Sequence, residues 1–153
     1  MITYRLAVAD DVATVRRLLQ ALSDHDGGPD VASEAALRAG GFGQRPLFHA
    51  LLAEDGTGVL GVIVYYPDFS THRGEAGLYV QDIYVTPAAR GRGAGTGLLA
   101  AAMRMQDWDA RYLTLGVGPE NTHARAYYAA RGFRPRGYDF LILDGARLEA
   151  LQP

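Results

Sequence analysis

The chain contains no cysteine in its 153 residues. Disulfides, thiolate metal sites and a cysteine nucleophile are therefore excluded. Lysine is absent as well, so all 15 basic residues are arginine. Alongside the abundance of alanine and glycine, this reads as the composition bias of a bacterial genome and not as a functional signal. The net charge of −2 lacks the basic excess that a nucleic-acid partner requires, and none is expected. No apolar run approaches membrane-spanning length, so no membrane partner is expected either. The N-terminal MITYRLAVADD lacks a basic region followed by an apolar stretch and a cleavage site. The expected location is the cytoplasm. His72 and His123 have no partner at metal-ligand spacing, so no metal is expected. His49, at the start of an apolar run, reads as a core or surface histidine before it reads as a base.

What is present is a hydrophobic fraction of 48%, ample for one core in a chain of this length. Residues 2–8 read as a strand. Asp10 can cap a helix whose face carries Val12, Val15, Leu18, Leu19 and Leu22. Residues 23–30 form a polar loop, and a short helix over 33–38 stops at Gly40 and Gly41. Two apolar runs, 48–53 and 59–66, flank Glu54-Asp55-Gly56-Thr57-Gly58 and predict a hairpin. Residues 67–77 read as a loop and 78–85 as a strand. A helix over 95–107, a strand over 112–117, a helix over 121–131 and a final strand over 138–143 complete the chain. The pattern predicts one α+β domain over residues 1–153, with helices interleaved among mostly antiparallel strands in a mixed sheet.

The most informative stretch is 83–103, IYVTPAARGRGAGTGLLAAAM. A strand stops at Thr86-Pro87, a turn rich in glycine and arginine follows, and a helix then begins. Glycine lets the backbone approach an anion closely. The first amides of a helix have no internal partner, and the helix dipole favours negative charge there. Arg90 and Arg92 add fork-shaped cationic donors. The turn lacks the Gly-Lys-Ser/Thr of a nucleotide-hydrolase loop. Thr96 stands where a dinucleotide fingerprint needs glycine, and no strand with a terminal acid follows about twenty residues on.

The spacing Arg-x-x-Gly-x-Gly at Arg90, Gly93 and Gly95 resembles the coenzyme-A pyrophosphate loop of the GNAT superfamily of N-acetyltransferases. A second segment, 113–133, supports this. Asn121 reads as a helix cap, and the pattern Asn121, Ala124, Tyr127, Tyr128, Gly132, Phe133 is similar to the second coenzyme motif of that superfamily. Residues 41–49 (GFGQRPLFH) and 78–85 (LYVQDIYV) resemble the matching segments of diamine (spermidine/spermine) and thialysine N-acetyltransferases. The resemblance runs from about Ser33 to Leu148.

It implies the GNAT fold, and acetyl-CoA as cosubstrate. Ile83, Tyr84 and Val85 would line the pantetheine arm. Arg90, Gly91, Arg92, Gly93, Ala94, Gly95 and Thr96 would hold the pyrophosphate. Asn121, Ala124 and Tyr127 would complete the coenzyme site. Tyr128 matches the tyrosine that protonates the departing thiolate. A phenol titrating near ten donates a proton at neutral pH far better than it accepts one. Aromatic core packing is the alternative for either tyrosine. Asp82 is the candidate for holding the amine or relaying its proton, and a satisfied strand-end carboxylate is the alternative. A Glu-Asp pair stands here in the diamine enzymes, whereas this chain has Gln81 beside Asp82. Asp24, His25 and Asp26, read as part of the loop after the first helix, would either face a cationic acceptor or be solvated. The expected function is acetyl transfer to a small cationic primary amine by direct attack in a ternary complex, in a homodimer. A drug-modifying or peptide N-terminal acetyltransferase, or a non-catalytic acyl-CoA-binding regulatory module, remains the competing reading.

Overall fold

Five strands lie side by side in one sheet in the order β1-β2-β3-β4-β5. They are β1 (Thr3–Leu6), β2 (His49–Asp55), β3 (Gly58–Ser70), β4 (Glu75–Val85) and β5 (Leu113–Leu115). The first four pair antiparallel, while β5 runs parallel to β4. A parallel neighbour needs a crossover, and α3 (Ala94–Met105) supplies it. Two further helices, α1 (Val12–Asp26) and α2 (Glu34–Gly41), lie between β1 and β2 in the chain. The structure, a computed structural model, describes residues 1–151. The chain divides into two compact units, Met1–Gly116 and a second that begins at Val117.

The first unit buries both faces of its sheet. Leu51, Ala53, Ile63, Tyr65, Leu78 and Val80 pack with Leu98, Leu99, Ala101 and Ala102 of α3. The alternate positions Ala50, Leu52, Val62 and Val64 pack with Val15, Leu18 and Leu19 of α1. This is the two-residue period of a strand, with a helix on each side. It explains why β2 and β3 read as unbroken apolar runs. Arg5 ties the edge together. Its guanidinium donates to both oxygens of Asp11 at 2.7 and 2.9 Å and to Glu54 at 3.1 Å. Asp11, and not Asp10, stands before α1, and its carboxylate also accepts from the Val8 amide.

Three sequence expectations are corrected here. Residues 67–77, read as a loop, are mostly strand: β3 runs on to Ser70, β4 begins at Glu75, and Pro67 pairs with Leu78. Pro67 is tolerated because β2 stops pairing at His49–Tyr65, leaving, among the described residues, no strand on that side of β3 to need its missing donor. Gly77 leaves room for the Tyr112 ring, which a β-carbon would strike. Second, α1 does not stop before Ser23, where the sequence predicts the start of the polar loop, but continues to Asp26. Gly27, at φ 69°, closes it, with Gly28 N–H bonded to the Ser23 carbonyl and Gly27 N–H to that of Asp24.

The third correction lies in the second unit. It contains α4 (Thr122–Ala129) and α5 (Gly145–Glu149), and residues 138–143 form no strand there. A strand needs a ladder partner, and none pairs with this segment among the described residues. Leu141 and Ile142 are 94% and 86% exposed.

Candidate active site

The glycine-rich turn takes the shape its composition predicts. A one-turn 3₁₀ helix over Pro87–Ala89 leads from β4 toward α3. Gly91 (φ 74°) and Gly93 (φ 84°, ψ 1°) both adopt the left-handed conformation that only glycine enters without strain. Gly93 caps α3, and the first intrahelical bond runs from Gly97 N–H to its carbonyl at 2.9 Å. The Ala94 and Gly95 amides therefore precede the helical ladder. Arg90 donates from Nε to the Val85 carbonyl at 3.3 Å. Arg92 donates from Nη2 to Asp55 Oδ2 at 2.6 Å. Asp55 also accepts from the Thr57 amide and hydroxyl. These bonds, led by that of the Thr57 hydroxyl, hold its carboxyl well below the usual carboxylate range.

The strand before this turn carries a bulge. Val64 pairs with Asp82, but the next residue, Tyr65, pairs with Val80. Gln81 is thus the extra residue, a device that re-aims side chains. Leu78, Val80, Ile83 and Val85 all pack on the α3 side of the sheet, while Tyr84 packs on the α1 side. The step from Val80 to Ile83 spans three residues, so Gln81 and Asp82 both fall on the α1 side. The bulge breaks the alternation of an ordinary strand, in which neighbouring side chains point to opposite faces.

On that side Tyr66 and Tyr79 stack with ring centroids 5.0 Å apart, and Tyr66 donates its hydroxyl to Gln81 Oε1 at 3.1 Å. Burial raises the Tyr66 phenol, and Tyr79, Asp68 and Asp82 raise it further. Asp82 is half-buried, and among the described residues its carboxylate has no hydrogen bond or ion pair. Burial pushes its pKa up. A carboxylate withdrawn from water without a protein partner is the chemistry of a binding or proton-relay group. The two tyrosines escaped the sequence reading. The β3–β4 register, which sets them opposite each other, was the signal that would have found them.

The ladder from β4 to β5 covers only Leu78, Tyr79 and Val80. β4 continues through Gln81, Asp82, Ile83 and Tyr84 to Val85, beyond the end of β5 at Leu115. Asp24, His25 and Asp26 are exposed residues in the last turn of α1 and not in a loop. Asp24 accepts from Gln20 at 2.8 Å, and no bond among the described residues joins the three to Asp82.

In the second unit, Asn121 caps α4 by accepting from the Ala124 amide at 3.1 Å. Tyr128 meets the rings of Tyr127 and Phe133 edge-on, each at 5.3 Å. Burial, with a smaller contribution from Tyr127, pushes its phenol up to about 12. It is therefore protonated throughout the physiological range. Tyr127 lies under the Arg131 guanidinium, 3.5 Å from ring centroid to carbon.

The acetyltransferase (GNAT) family profile matches residues 15–133. The chain belongs to the GNAT acetyltransferase family. Thialysine N-epsilon-acetyltransferase of Bos taurus is 34% identical over 142 residues, covering 86% of this chain and 83% of that protein. The spermidine/spermine N(1)-acetyltransferase-like protein 1 of Homo sapiens is 34% identical over 104 residues, 62% of this chain and 15% of that longer protein. An integron cassette protein from the mobile metagenome of V. cholerae shares the fold. Its TM-score is 0.79 at 20% identity, over 98% of this chain and 96% of that one. The fold is the GNAT fold, and the subfamily likeness to thialysine and spermidine/spermine enzymes holds. The chain is an enzyme of acetyl transfer, from a family that uses acetyl-CoA.

Proposed function

We propose that this chain moves the acetyl group of acetyl-CoA to a small cationic primary amine, a polyamine, diamine or lysine-like amino acid. The reading rests first on Asp82. It is a half-buried carboxylate with no protein partner among the described residues, beside two stacked tyrosines. An acid and aromatic faces together suit an ammonium. The thialysine enzyme among the relatives acts on such a substrate by its name.

The roles follow from the chemistry. The turn from Arg90 to Thr96 receives the pyrophosphate with left-handed glycines and helix-start amides. The edge of β4 from Gln81 to Val85, beyond the reach of β5, offers backbone groups to the pantetheine arm as an added strand would use them. The uncharged amine attacks the thioester carbon, the C–S bond breaks, and the thiolate takes the Tyr128 proton. The amine's own proton leaves toward Asp82 through water. With no cysteine in the chain, the acetyl group passes directly and not through an acyl-cysteine. Residues 1–153 act as one catalytic domain, a reading supported by a family match that crosses from the first unit into the second.

The test compares kcat/KM for spermidine, a short diamine, thialysine and an uncharged-tail amine, in the wild type and in Asp82→Asn. The cationic acceptors should lead in the wild type, and the variant should lose that preference. A wild type that prefers the uncharged-tail amine rejects the cationic acceptor.

A further inference from the structure

The pairing of Arg92 changes what that arginine can do. Its guanidinium reaches back 37 residues to Asp55, at the end of β2. The Asp55 side chain is only 7% exposed, against 45% for Arg92. One carboxylate oxygen takes two bonds from Thr57, at 2.8 and 2.6 Å, and the other takes Arg92 at 2.6 Å. The carboxylate is thereby fixed within the β2–β3 hairpin before it meets the turn. Arg92 in turn stands between Gly91 and Gly93, the two left-handed residues that shape the backbone there. Glycines give this segment its curvature but leave it loose, and the ion pair anchors it at its middle residue.

We propose that Asp55 is a positioning residue for the coenzyme, which holds the Gly91–Arg92–Gly93 backbone in its receiving shape through Arg92. This rests on the reading that the turn holds the pyrophosphate of acetyl-CoA. Arg92 is then an internal strut. Its charge is spent on Asp55, and the anion is met by the backbone amides at the start of α3 and by Arg90. The sequence alone assigned Arg92 to the phosphate directly.

The experiment uses the full chain and two acyl donors, acetyl-CoA and S-acetylpantetheine, the second lacking the pyrophosphate. Asp55→Asn keeps an oxygen for Thr57 and removes the charge that holds Arg92. The KM for acetyl-CoA should rise about two- to fivefold, as loss of a partly exposed ion pair worth up to about 1 kcal/mol allows. The ratio of kcat/KM for acetyl-CoA over S-acetylpantetheine should fall by the same factor. Arg92→Gln should match it, and the double variant should be no worse than either single one, since both remove one strut. The inference is overturned if Asp55→Asn leaves that ratio at the wild-type value. It is also overturned if Asp55→Asn tightens acetyl-CoA by releasing Arg92 to the phosphate, or if the two losses add. If Asp55→Asn does not fold, Asp55→Ser, which also removes the charge facing Arg92, carries the same ratio test. Gly93→Ala separates the two layers. Weaker acetyl-CoA binding in Gly93→Ala with an unchanged ratio in Asp55→Asn sinks the strut alone. Unchanged binding in both removes the pyrophosphate reading beneath it.

Discussion

Replacing Gly93 by alanine adds one carbon to a residue held at φ 84° and ψ 1°. Built on this backbone, that carbon meets no atom within 4 Å. The cost to the fold is therefore conformational and not steric, about 1–2 kcal/mol for an L-residue in the left-handed region. For a chain of this size that lowers Tm by about 2–8 °C. Coenzyme binding should suffer for a different reason. The added carbon stands at the cap of α3, where the backbone must approach the pyrophosphate closely. A loss of at least tenfold in affinity, about 1.4 kcal/mol, is expected. Gly74→Ala separates the two effects. Gly74 lies in the β3–β4 turn at φ 64° and also has open space around it, so it carries the same strain far along the chain from α3. Calorimetric titration with acetyl-CoA, beside thermal melts, should find similar Tm losses in both variants and weakened binding only in Gly93→Ala. Equal affinities in the two variants would refute the assignment of the turn to the coenzyme.

Tyr128→Phe should retain acetyl-CoA binding and lower kcat by about 10²–10⁴-fold, the usual cost of a general acid; wild-type turnover in single-turnover kinetics would return Tyr128 to ring packing. The raised pKa of Asp82 moves the acid limb of kcat/KM upward from that of an ordinary aspartate. Activity should fall as pH drops through that limb, and a pH profile of Asp82→Asn that keeps the same limb would contradict this. The Arg5 hydrogen bonds hold Asp11 below its ordinary 3.8. A depressed folded-state pKa means that this contribution is full above about pH 4 and fades as the pH falls below it. Asp11→Asn should therefore lower the denaturant midpoint at pH 7 and flatten its decline below pH 4. A homodimer is expected, and light scattering that finds only particles of 16.5 kDa would exclude it.

The turn was legible because glycine at Gly91 and Gly93 states a backbone conformation directly, and the conformation then follows locally. The helix cap at Asn121 was legible for the same reason. The hairpin arm over 67–77 was not. Pro67 and Gly77 are breakers by local rules, and they fit a strand through the absence, among the described residues, of a neighbour beyond His49 and through the ring of Tyr112. The bulge at Gln81 could not be read from a period-2 pattern, because an inserted residue shows itself only against a partner strand. The stacking of Tyr66 on Tyr79 depends on that register, and the Asp55–Arg92 pair on a contact 37 residues apart. Residues 138–143 show the reverse case: their strand-like pattern has no partner among the described residues.

The central claim is amine-dependent acetyl transfer, and thiol release from acetyl-CoA measures it most directly. The wild-type chain should release free coenzyme A only when an amine is present, in step with the N-acetylated product seen by mass spectrometry, and faster with thialysine or a short diamine than with an uncharged-tail amine. A chain that binds acetyl-CoA but releases no thiol with any of these amines would contradict the account.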